Sequence, residues 1–348
     1  MKKWNGERRG VFVKGLFSSF LLLYSVCFIL LSCASAASAE EYYSIGMAYY
    51  DMGKFSEAQR WLERANSVKT TMRASEYNLG RIAFETKKYT IAAQHFENIL
   101  KDDGENVMAL KSIAYTKIML GDIDGAEAYY ERVLKLEPES ADDGYNYAMI
   151  LYAMQKYPEA EAVLKKFSYD MPDNKNTLLL LARAEKAQNK VEAIDDYALW
   201  FVKNTDPLVR YEYAEALETA TYYARAIEEL KKALEGWTGG TETATVKKGD
   251  VQYKLAYLLL TADNNNDEGI AILKEAVSGG FADLESVNEL AKDARVSSVH
   301  KEEISVIAGD VAAKLKTAEA QAAEPPPDAA ASAATPPAIP ETGQTATP

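Results

Sequence analysis

The chain contains very few side chains that support nucleophilic, redox or metal chemistry. Its 348 residues include two cysteines and two histidines, and both cysteines lie within the first 33 positions. The rest of the chain therefore has no thiol for a disulfide, a zinc site or covalent catalysis. We find no serine-nucleophile motif, paired-histidine metal motif, phosphate-binding loop or dinucleotide glycine fingerprint in a suitable context. These absences predict a protein that is not an enzyme and holds no metal or cofactor.

Basic residues are also scarce relative to acidic ones. The chain has 39 Lys and Arg against 52 Asp and Glu, which gives a formal net charge of −13. Residues 1–32 hold five of the basic residues and one of the acidic ones, so the charge without them is 34 minus 51, or −17. Such an acidic surface repels the phosphate backbone. We therefore expect no nucleic-acid partner.

The N-terminal segment, residues 1–39, has the composition of a secretory signal. Basic residues precede an apolar run at 16–31, and small residues follow it. Two processing sites remain open: cleavage after Ala39 gives a soluble periplasmic protein, whereas Leu-Leu-Ser-Cys at 30–33 resembles a bacterial lipoprotein signal that ends in a lipidated Cys33. A retained membrane anchor is a third alternative. All three predict an exported protein.

Small residues recur downstream of this segment with a fixed spacing. Two independent series of glycine and alanine each repeat every 34 residues. The first series is Gly46, Gly80, Ala114, Ala148 and Ala182, and the second is Ala58, Ala92, Ala126 and Ala160. Large apolar residues spaced by three and four lie between them, as in amphipathic helices. One pair of such helices cannot bury both apolar stripes, so the pattern predicts helix pairs that stack on one another.

This arrangement resembles the tetratricopeptide repeat, a unit of about 34 residues that forms two helices and has small residues at its positions 8 and 20. The third unit carries the pattern most fully; its matching residues are Leu110, Ile113, Ala114, Gly121, Ile123, Ala126, Tyr130, Val133 and Pro138. The resemblance implies an all-α, right-handed superhelical solenoid of about seven repeats. It also implies that glycine at position 15, as at Gly53 and Gly121, ends the first helix of a repeat.

The chain can be divided on this basis. The solenoid is predicted at 40–278, with units near 39–72, 73–106, 107–140, 141–174, 175–206, 207–240 and 249–278. The fifth unit is interpreted as having a shortened turn, and a Gly- and Thr-rich loop separates the sixth unit from the seventh. Residues 279–316 are predicted to form two capping helices. Residues 317–348, which hold seven of the eleven prolines, are predicted to be a disordered Ala/Pro-rich tail.

The resemblance also implies where binding takes place. In this family, positions 2, 5, 9, 12 and 13 of each first helix face a concave groove. Carried over to this chain, the candidate partner-binding residues are Tyr43, Tyr50, Tyr77, Arg81, Phe84, Lys111, Tyr115, Tyr145, Tyr152 and Arg183. Two interpretations of the tyrosines stay open: they bind a partner segment, or they pack one repeat against the next. The family's clamp for a C-terminal carboxylate needs Lys and Asn where this chain has Tyr43 and Met47, so that mode of recognition is not expected.

Charged residues on the first helices predict contacts between neighbouring repeats. Arg183 and Glu215 occupy equivalent positions of adjacent units, as do Lys186 and Glu218. We expect each pair to form an exposed salt bridge worth roughly 0–1 kcal/mol. Such pairs favour one register of the repeats and do not indicate a ligand.

Three further polar residues are interpreted from their neighbours. Arg81 and Lys111 have Tyr77, Tyr115 and Tyr145 as predicted neighbours and no acidic residue at equivalent positions. We therefore expect a cation–π contact or an acidic group of a partner to hold them. His95 stands beside a core position on a second helix and is interpreted as a solvated surface side chain.

These observations predict an exported adaptor that binds proteins or peptides of the cell envelope and that resembles the tetratricopeptide proteins of bacterial envelopes. Its membrane attachment would be limited to the N-terminal lipid or anchor. The alternative is a small-ligand-binding protein or an accessory protein of a solute transporter, because a tyrosine-rich groove can also hold a small molecule. No oligomeric state is predicted.

Overall fold

The structure, a computed structural model, describes residues 38–69, 73–168 and 174–323. In these ranges the chain forms sixteen α-helices and no β-strand. The helices pack as consecutive pairs, which confirms the all-α repeat fold that the 34-residue spacing predicts.

Several predicted features lie outside the described residues. They are the signal segment up to residue 37, with its candidate lipidation site Cys33, and the Ala/Pro-rich tail after residue 323. Within the described ranges, no helix has the length and apolar character needed to cross a membrane.

The chain divides into two compact units, of which the first is residues 1–171. The helix pairs described in it are α1 (Ala39–Asp51) with α2 (Phe55–Val68), α3 (Arg73–Glu85) with α4 (Tyr89–Asp102), α5 (Val107–Met119) with α6 (Ile123–Leu136), and α7 (Ala141–Ala153) with α8 (Tyr157–Ser168). Its apolar clusters join neighbouring pairs: Leu62 of α2 shares a cluster with Leu79 of α3, and Phe96 of α4 shares one with Ile113 of α5. Stacking of this kind buries the apolar stripes of both helices.

Small residues allow the helices of a pair to approach closely. The alanines of the second 34-residue series are fully buried at these contacts: Ala58, Ala92, Ala126 and Ala160. Gly80 shows the physical reason, because a Cβ atom added to it would lie 2.6 Å from Cε1 of Phe96. A larger side chain would overpack the contact.

The turn within a pair places one residue, at position 15 of the repeat, in the left-handed region of φ. The φ values are 70° at Gly53, 59° at Lys87, 78° at Gly121, 60° at Gln155, 56° at Asn189 and 64° at Thr221. The sequence analysis predicts the two glycines; asparagine also tolerates this conformation, whereas Lys87, Gln155 and Thr221 carry no signal for it. Packing of the two helices therefore imposes the turn geometry even where the residue is strained by it.

Replacing Thr221 by glycine is expected to stabilise the second unit by about 0.5–1 kcal/mol, because glycine adopts a positive φ without the steric cost of a β-branched residue. Thermal unfolding of the full chain should show a higher midpoint. Asn189→Gly is the matched control and should gain less, since asparagine tolerates this region. An unchanged midpoint for Thr221→Gly would contradict strain at this turn.

The second compact unit is residues 172–348. The helix pairs described in it are α9 (Lys175–Ala187) with α10 (Glu192–Phe201), α11 (Pro207–Thr219) with α12 (Tyr223–Glu235), α13 (Lys248–Thr261) with α14 (Asn266–Ser278), and α15 (Leu284–Lys292) with α16 (Ser298–Ala323). The loop between α12 and α13 lies where the Gly- and Thr-rich insertion is predicted. Its Trp237 and Val246 pack against the apolar core, so the loop is held to the unit.

The fifth repeat differs from its predicted form. Its turn, residues 188–191, is not shortened; instead α10 has ten residues, whereas α2, α4 and α6 have fourteen each. The next helix sets this limit, because Asp206 caps α11 and Pro207 occupies its first turn. The residue before a proline avoids the helical conformation, so α10 cannot continue through Asp206.

The last helix is longer than predicted. Helix α16 continues to Ala323, past residue 316, where the capping helices were expected to end. Residues 317–323 are one threonine, four alanines, one glutamate and one glutamine. All of these except the threonine are strong helix formers, and the first proline follows at Pro325, so nothing in this stretch interrupts the helix.

Candidate partner-binding site

Two tyrosines of the predicted groove are hydrogen-bonded to the following repeat. The Asn78 side-chain amide donates to the hydroxyl oxygen of Tyr43 at 3.2 Å. The Ser112 hydroxyl donates to the hydroxyl oxygen of Tyr77 at 3.2 Å. Both tyrosines stand at position 5 of a repeat, and both donors stand at position 6 of the next one. The hydroxyl groups of these two tyrosines therefore form hydrogen bonds between neighbouring repeats, while the rings stay half-buried.

A second type of contact joins the first helices further along. The Arg81 guanidinium lies over the Tyr50 ring, 4.6 Å from its centroid. The rings of Phe84 and Tyr115 lie 5.2 Å apart. In both cases position 12 of one repeat meets position 9 of the next. Arg81 thus forms a cation–π contact, one of the two alternatives, but its ring partner is Tyr50 of the preceding repeat and not one of the expected tyrosines.

A cleft of about 360 Å³ opens between α1, α3 and the start of α5. Its lining residues are Tyr43, Met47, Arg73, Ala74, Tyr77, Asn78, Arg81, Ile99, Asn106 and Met108. The structure thus brings three predicted groove residues together: Tyr43, Tyr77 and Arg81. It adds Met47 and Met108, which stand at groove positions 9 and 2 of their repeats and could have been selected from the register. Ala74 stands at groove position 2 as well, whereas Arg73, Asn78, Ile99 and Asn106 hold positions to which the family register assigns no role in binding.

Lys111 does not have the environment predicted from the sequence. Its ammonium group lies 2.8 Å from Oε2 of Glu137 and 2.8 Å from Oδ2 of Asp143, so the expectation that it lacks an acidic partner is wrong. Burial would lower the pKa of Lys111, but hydrogen bonds to Asp143 and Glu137, together with their charges, outweigh burial and raise it. Neither carboxylate occupies a position equivalent to Lys111, which is why comparison of equivalent positions misses them.

Arg183 lies in the second unit and forms an ion pair one helical turn away from the predicted one. Its Nε and Nη2 atoms donate to Glu212 at 2.7 and 2.8 Å. Lys186 likewise pairs with Glu215. The predicted Arg183–Glu215 and Lys186–Glu218 pairs are therefore wrong. Side chains on a helix lean toward its N-terminus, so a long cation reaches a residue one turn earlier on the neighbouring helix.

The last two predicted residues, Tyr145 and Tyr152, lie on α7. Tyr145 is half-buried, and the Tyr152 ring lies 5.2 Å from the Tyr157 ring of the same repeat. Exposed apolar side chains accompany them on the first helices: Tyr115 and Met119 on α5, and Met149 on α7. Apolar surface is therefore available beyond the cleft.

His95 is not the solvated side chain that the sequence suggests. Its Nδ1 atom lies 3.0 Å from Oε1 of Glu76, and only 25% of the side chain is exposed. Asn98 donates to the same oxygen at 2.9 Å, and Asn66 donates to the other at 2.8 Å. Burial would raise the pKa of Glu76, but the hydrogen bonds from Asn98 and His95 outweigh burial and lower it. This network ties α2, α3 and α4 together.

Acidification is expected to weaken the first unit through Glu76. Because its folded pKa lies below the ordinary value of 4.5, the carboxylate stabilises the fold fully above that value and stops doing so as pH falls through the lowered pKa. Glu76→Gln should cost about 1 kcal/mol near neutral pH and should flatten the decline in acid. Urea midpoints of both proteins across this range measure the effect. If the urea midpoints of the two proteins fell in parallel as pH is lowered, the stabilising role of the Glu76 carboxylate would be contradicted.

The chemistry of the cleft is that of a binding site. It offers aromatic rings, two thioethers and one guanidinium that has no ion-pair partner in the described part of the chain. In the same residues, no group of three or more His, Cys, Asp or Glu side chains is placed to hold a metal ion.

Family models and solved structures support this repeat geometry. Models described as tetratricopeptide repeat match residues 39–71, 77–141 and 117–184. The crystal structure of a tetratricopeptide repeat protein from Parabacteroides merdae has a TM-score of 0.50 and 20% identity; the alignment covers 73% of this chain and 97% of that chain. Similarity at this level shows that the two proteins share a fold and carries no statement about function.

Curated relatives match about half of the chain. Protein O-mannosyl-transferase Tmtc3 of Drosophila melanogaster is 24% identical over 179 residues, which are 48% of this chain and 18% of that protein. An uncharacterized lipoprotein of Treponema pallidum is 22% identical over 177 residues, which are 50% of this chain and 89% of that protein. The chain thus spans less than a fifth of the transferase and most of the lipoprotein.

Proposed function

The chain belongs to the tetratricopeptide repeat family, and on that premise we propose that it is an exported scaffold that binds proteins or peptides of the cell envelope. Its role is to hold partners together during envelope assembly, by binding and without catalytic turnover. Repeat solenoids of this type use extended surfaces for binding, and the fold generally serves as a non-catalytic scaffold.

The cleft between α1, α3 and α5 is the observation that carries this proposal. It combines half-buried tyrosine rings with Arg81 and with Met108, whose side chain is 57% exposed. Aromatic residues, methionine and arginine are enriched at protein interfaces, and the flexible thioether adapts to varied partner surfaces. Lys111 and the hydroxyl groups of the tyrosines at position 5 contribute less to partner binding, because they already form ion pairs or hydrogen bonds within the protein.

Capture of partners from envelope extract tests this function. The variant of the first helices combines Arg81→Gln, Met108→Ser and Tyr115→Ser, three changes that leave the contacts of Lys111 and of the position-5 hydroxyls in place. We expect it to lose the proteins that the wild-type chain retains, while its circular dichroism spectrum stays unchanged.

A matched control places the same chemistry on the second helices. It combines Arg64→Gln, Val68→Ser and Ile91→Ser; Arg64 lies over the Tyr42 ring at 4.8 Å, and the two aliphatic side chains are exposed. This control should retain every partner. Loss of the same proteins from both variants, or from neither, would show that the first helices are not the binding surface.

We further propose that the protein is anchored to the membrane by a lipid on Cys33. Ser38 caps α1 through a capping box: its Oγ accepts from the Glu41 backbone N–H at 3.2 Å, and its own N–H donates to the Glu41 carboxylate at 2.7 Å. Processing at Cys33 keeps this cap, worth about 1 kcal/mol, whereas cleavage after Ala39 removes Ser38. The relative in Treponema pallidum is itself named as a lipoprotein.

Mass measurement of the mature N-terminus decides between the two processing sites. A mass that corresponds to a chain starting at Cys33 with acyl groups attached is the expected result. An unmodified chain that starts at Glu40 would contradict the anchor and favour a soluble periplasmic protein.

A small-molecule function is the second candidate, as a ligand-binding protein or an accessory to a solute transporter. The volume of the cleft favours it, since about 360 Å³ falls within the range of about 300–1,000 Å³ typical of ligand pockets. A rise in melting temperature with fractionated metabolites, lost in the Arg81, Met108 and Tyr115 variant, would support this function. A cleft that responds only to peptides would exclude it.

A further inference from the structure

Arg81 stands out among the cationic side chains on the first helices of the first unit. In the part of the chain that the structure describes, these helices carry four such side chains, and three have a carboxylate partner. The ion pairs are Arg73–Asp103 at 2.9 Å, Lys111–Asp143 at 2.8 Å and Lys117–Asp122 at 3.0 Å. No described carboxylate lies within ion-pair distance of Arg81, although the chain carries an excess of acidic residues.

The guanidinium of Arg81 is held in place and still has donors available. Its Nη1 donates to Oδ1 of Asn78 at 3.0 Å, and its plane lies over the Tyr50 ring. A guanidinium has five N–H donors in a fixed fork that matches a carboxylate. The contacts with Asn78 and Tyr50 reduce the conformational freedom that Arg81 would otherwise lose on binding.

Apolar surface flanks Arg81 on both sides. The cleft on one side contains Met47 and Met108. On the other side Phe84, three residues further along α3, contacts the ring of Tyr115, whose side chain is 53% exposed. A small acid that fills the cleft would leave Tyr115 uncovered, whereas a segment of polypeptide can cover both surfaces.

We infer that the partner segment presents an acidic side chain between apolar ones, with its carboxylate paired to Arg81 and its apolar side chains in the cleft and over Tyr115. This inference rests on the proposed scaffold function and adds the chemistry of the partner. The occupant is a peptide segment of another protein; a free small acid is the competing occupant that the experiment tests.

Selection from a random peptide library displayed on phage, with the full-length processed chain as the target, tests the inference. We expect the selected sequences to share an Asp or Glu flanked by apolar residues. One selected peptide is then synthesised with its acidic residue and with the matching amide. Fluorescence anisotropy measures the Kd of both peptides for the wild type, for Arg81→Gln and for the control Arg64→Gln.

Loss of the charge on either side should weaken binding about tenfold, because a charge-assisted hydrogen bond is broken in each case. Combining the two changes should add little further loss, and Arg64→Gln should bind like the wild type. The amide peptide leaves the protein unaltered, so it keeps the test valid even if Arg81→Gln perturbs the Tyr50 contact.

The other outcomes separate this inference from the function on which it rests. Selected peptides that bind Arg81→Gln as tightly as the wild type would overturn the carboxylate pairing and leave the scaffold function standing. Free glutamate that competes as well as the whole peptide would overturn the peptide occupant in favour of a small acid. If the wild type selects no peptide and captures no envelope protein, the scaffold function itself fails.

Discussion

Replacing Lys111 by methionine is expected to lower the free energy of unfolding of the first unit by about 2–3 kcal/mol. The substitution leaves Asp143, which is 2% exposed, without its cation. A buried carboxylate without a partner is destabilising. The position of Asp143 in the first turn of α7 offsets part of this cost, because the helix N-terminus favours a negative charge. Urea unfolding of the full chain, followed by circular dichroism, measures the change.

Two companion variants identify the cause. The double variant with Lys111→Met and Asp143→Asn should recover most of the lost stability, since it removes the uncompensated charge. Glu137→Gln removes the other partner, which is 43% exposed, and should cost less than about 1 kcal/mol. Equal losses for Lys111→Met and Glu137→Gln would show that Asp143 does not depend on Lys111.

Gly144→Ala is expected to destabilise the first unit by about 2–3 kcal/mol through overpacking. A Cβ atom on Gly144 would lie 2.1 Å from Cε2 of Phe167, whose ring is buried in the contact between α7 and α8. The ring has little room to move away. The better helix propensity of alanine, about 1 kcal/mol, is too small to compensate. Thermal unfolding measures the shift.

The same substitution at Gly309 provides the control. Gly309 lies inside α16 and has no atom within 4 Å of an added Cβ, so Gly309→Ala should raise stability by up to about 1 kcal/mol. The two variants thus predict opposite signs for one chemical change. A further variant, Gly144→Ala with Phe167→Leu, should regain part of the loss. A stable Gly144→Ala protein would mean that the helices can separate without cost.

Spacing in the sequence predicts the contacts within each helix pair well. Ala126 and the other members of its series are buried at these contacts, because a small residue is the only kind that tolerates such a close approach. The same register brings Tyr43, Tyr77 and Arg81 to one cleft. In these cases the requirement is local, because it concerns one residue that must have a small side chain or must lie on one face of its helix.

Contacts between neighbouring repeats are harder to predict from spacing. Arg183 pairs with Glu212 and not with Glu215, the residue at the equivalent position of the next repeat. Comparing equivalent positions does not account for how far a long side chain extends along the helix axis. Lys111 meets Asp143 for a related reason. The left-handed turn at Thr221 leaves no mark in the sequence either, since packing imposes it on a residue that disfavours it.

Among the described residues of the first unit, the apolar clusters join neighbouring helix pairs, and the pair α1–α2 shares one of these clusters, at its junction with α3. Amide hydrogens of α1 and α2 should therefore exchange with solvent faster than those of α5, because fewer described apolar contacts must break when this pair opens. A ligand that contacts α1, α3 and α5 at once binds only while this junction is closed. Occupancy of the cleft should consequently slow exchange in α1 and α2 most, through the linkage between binding and local opening.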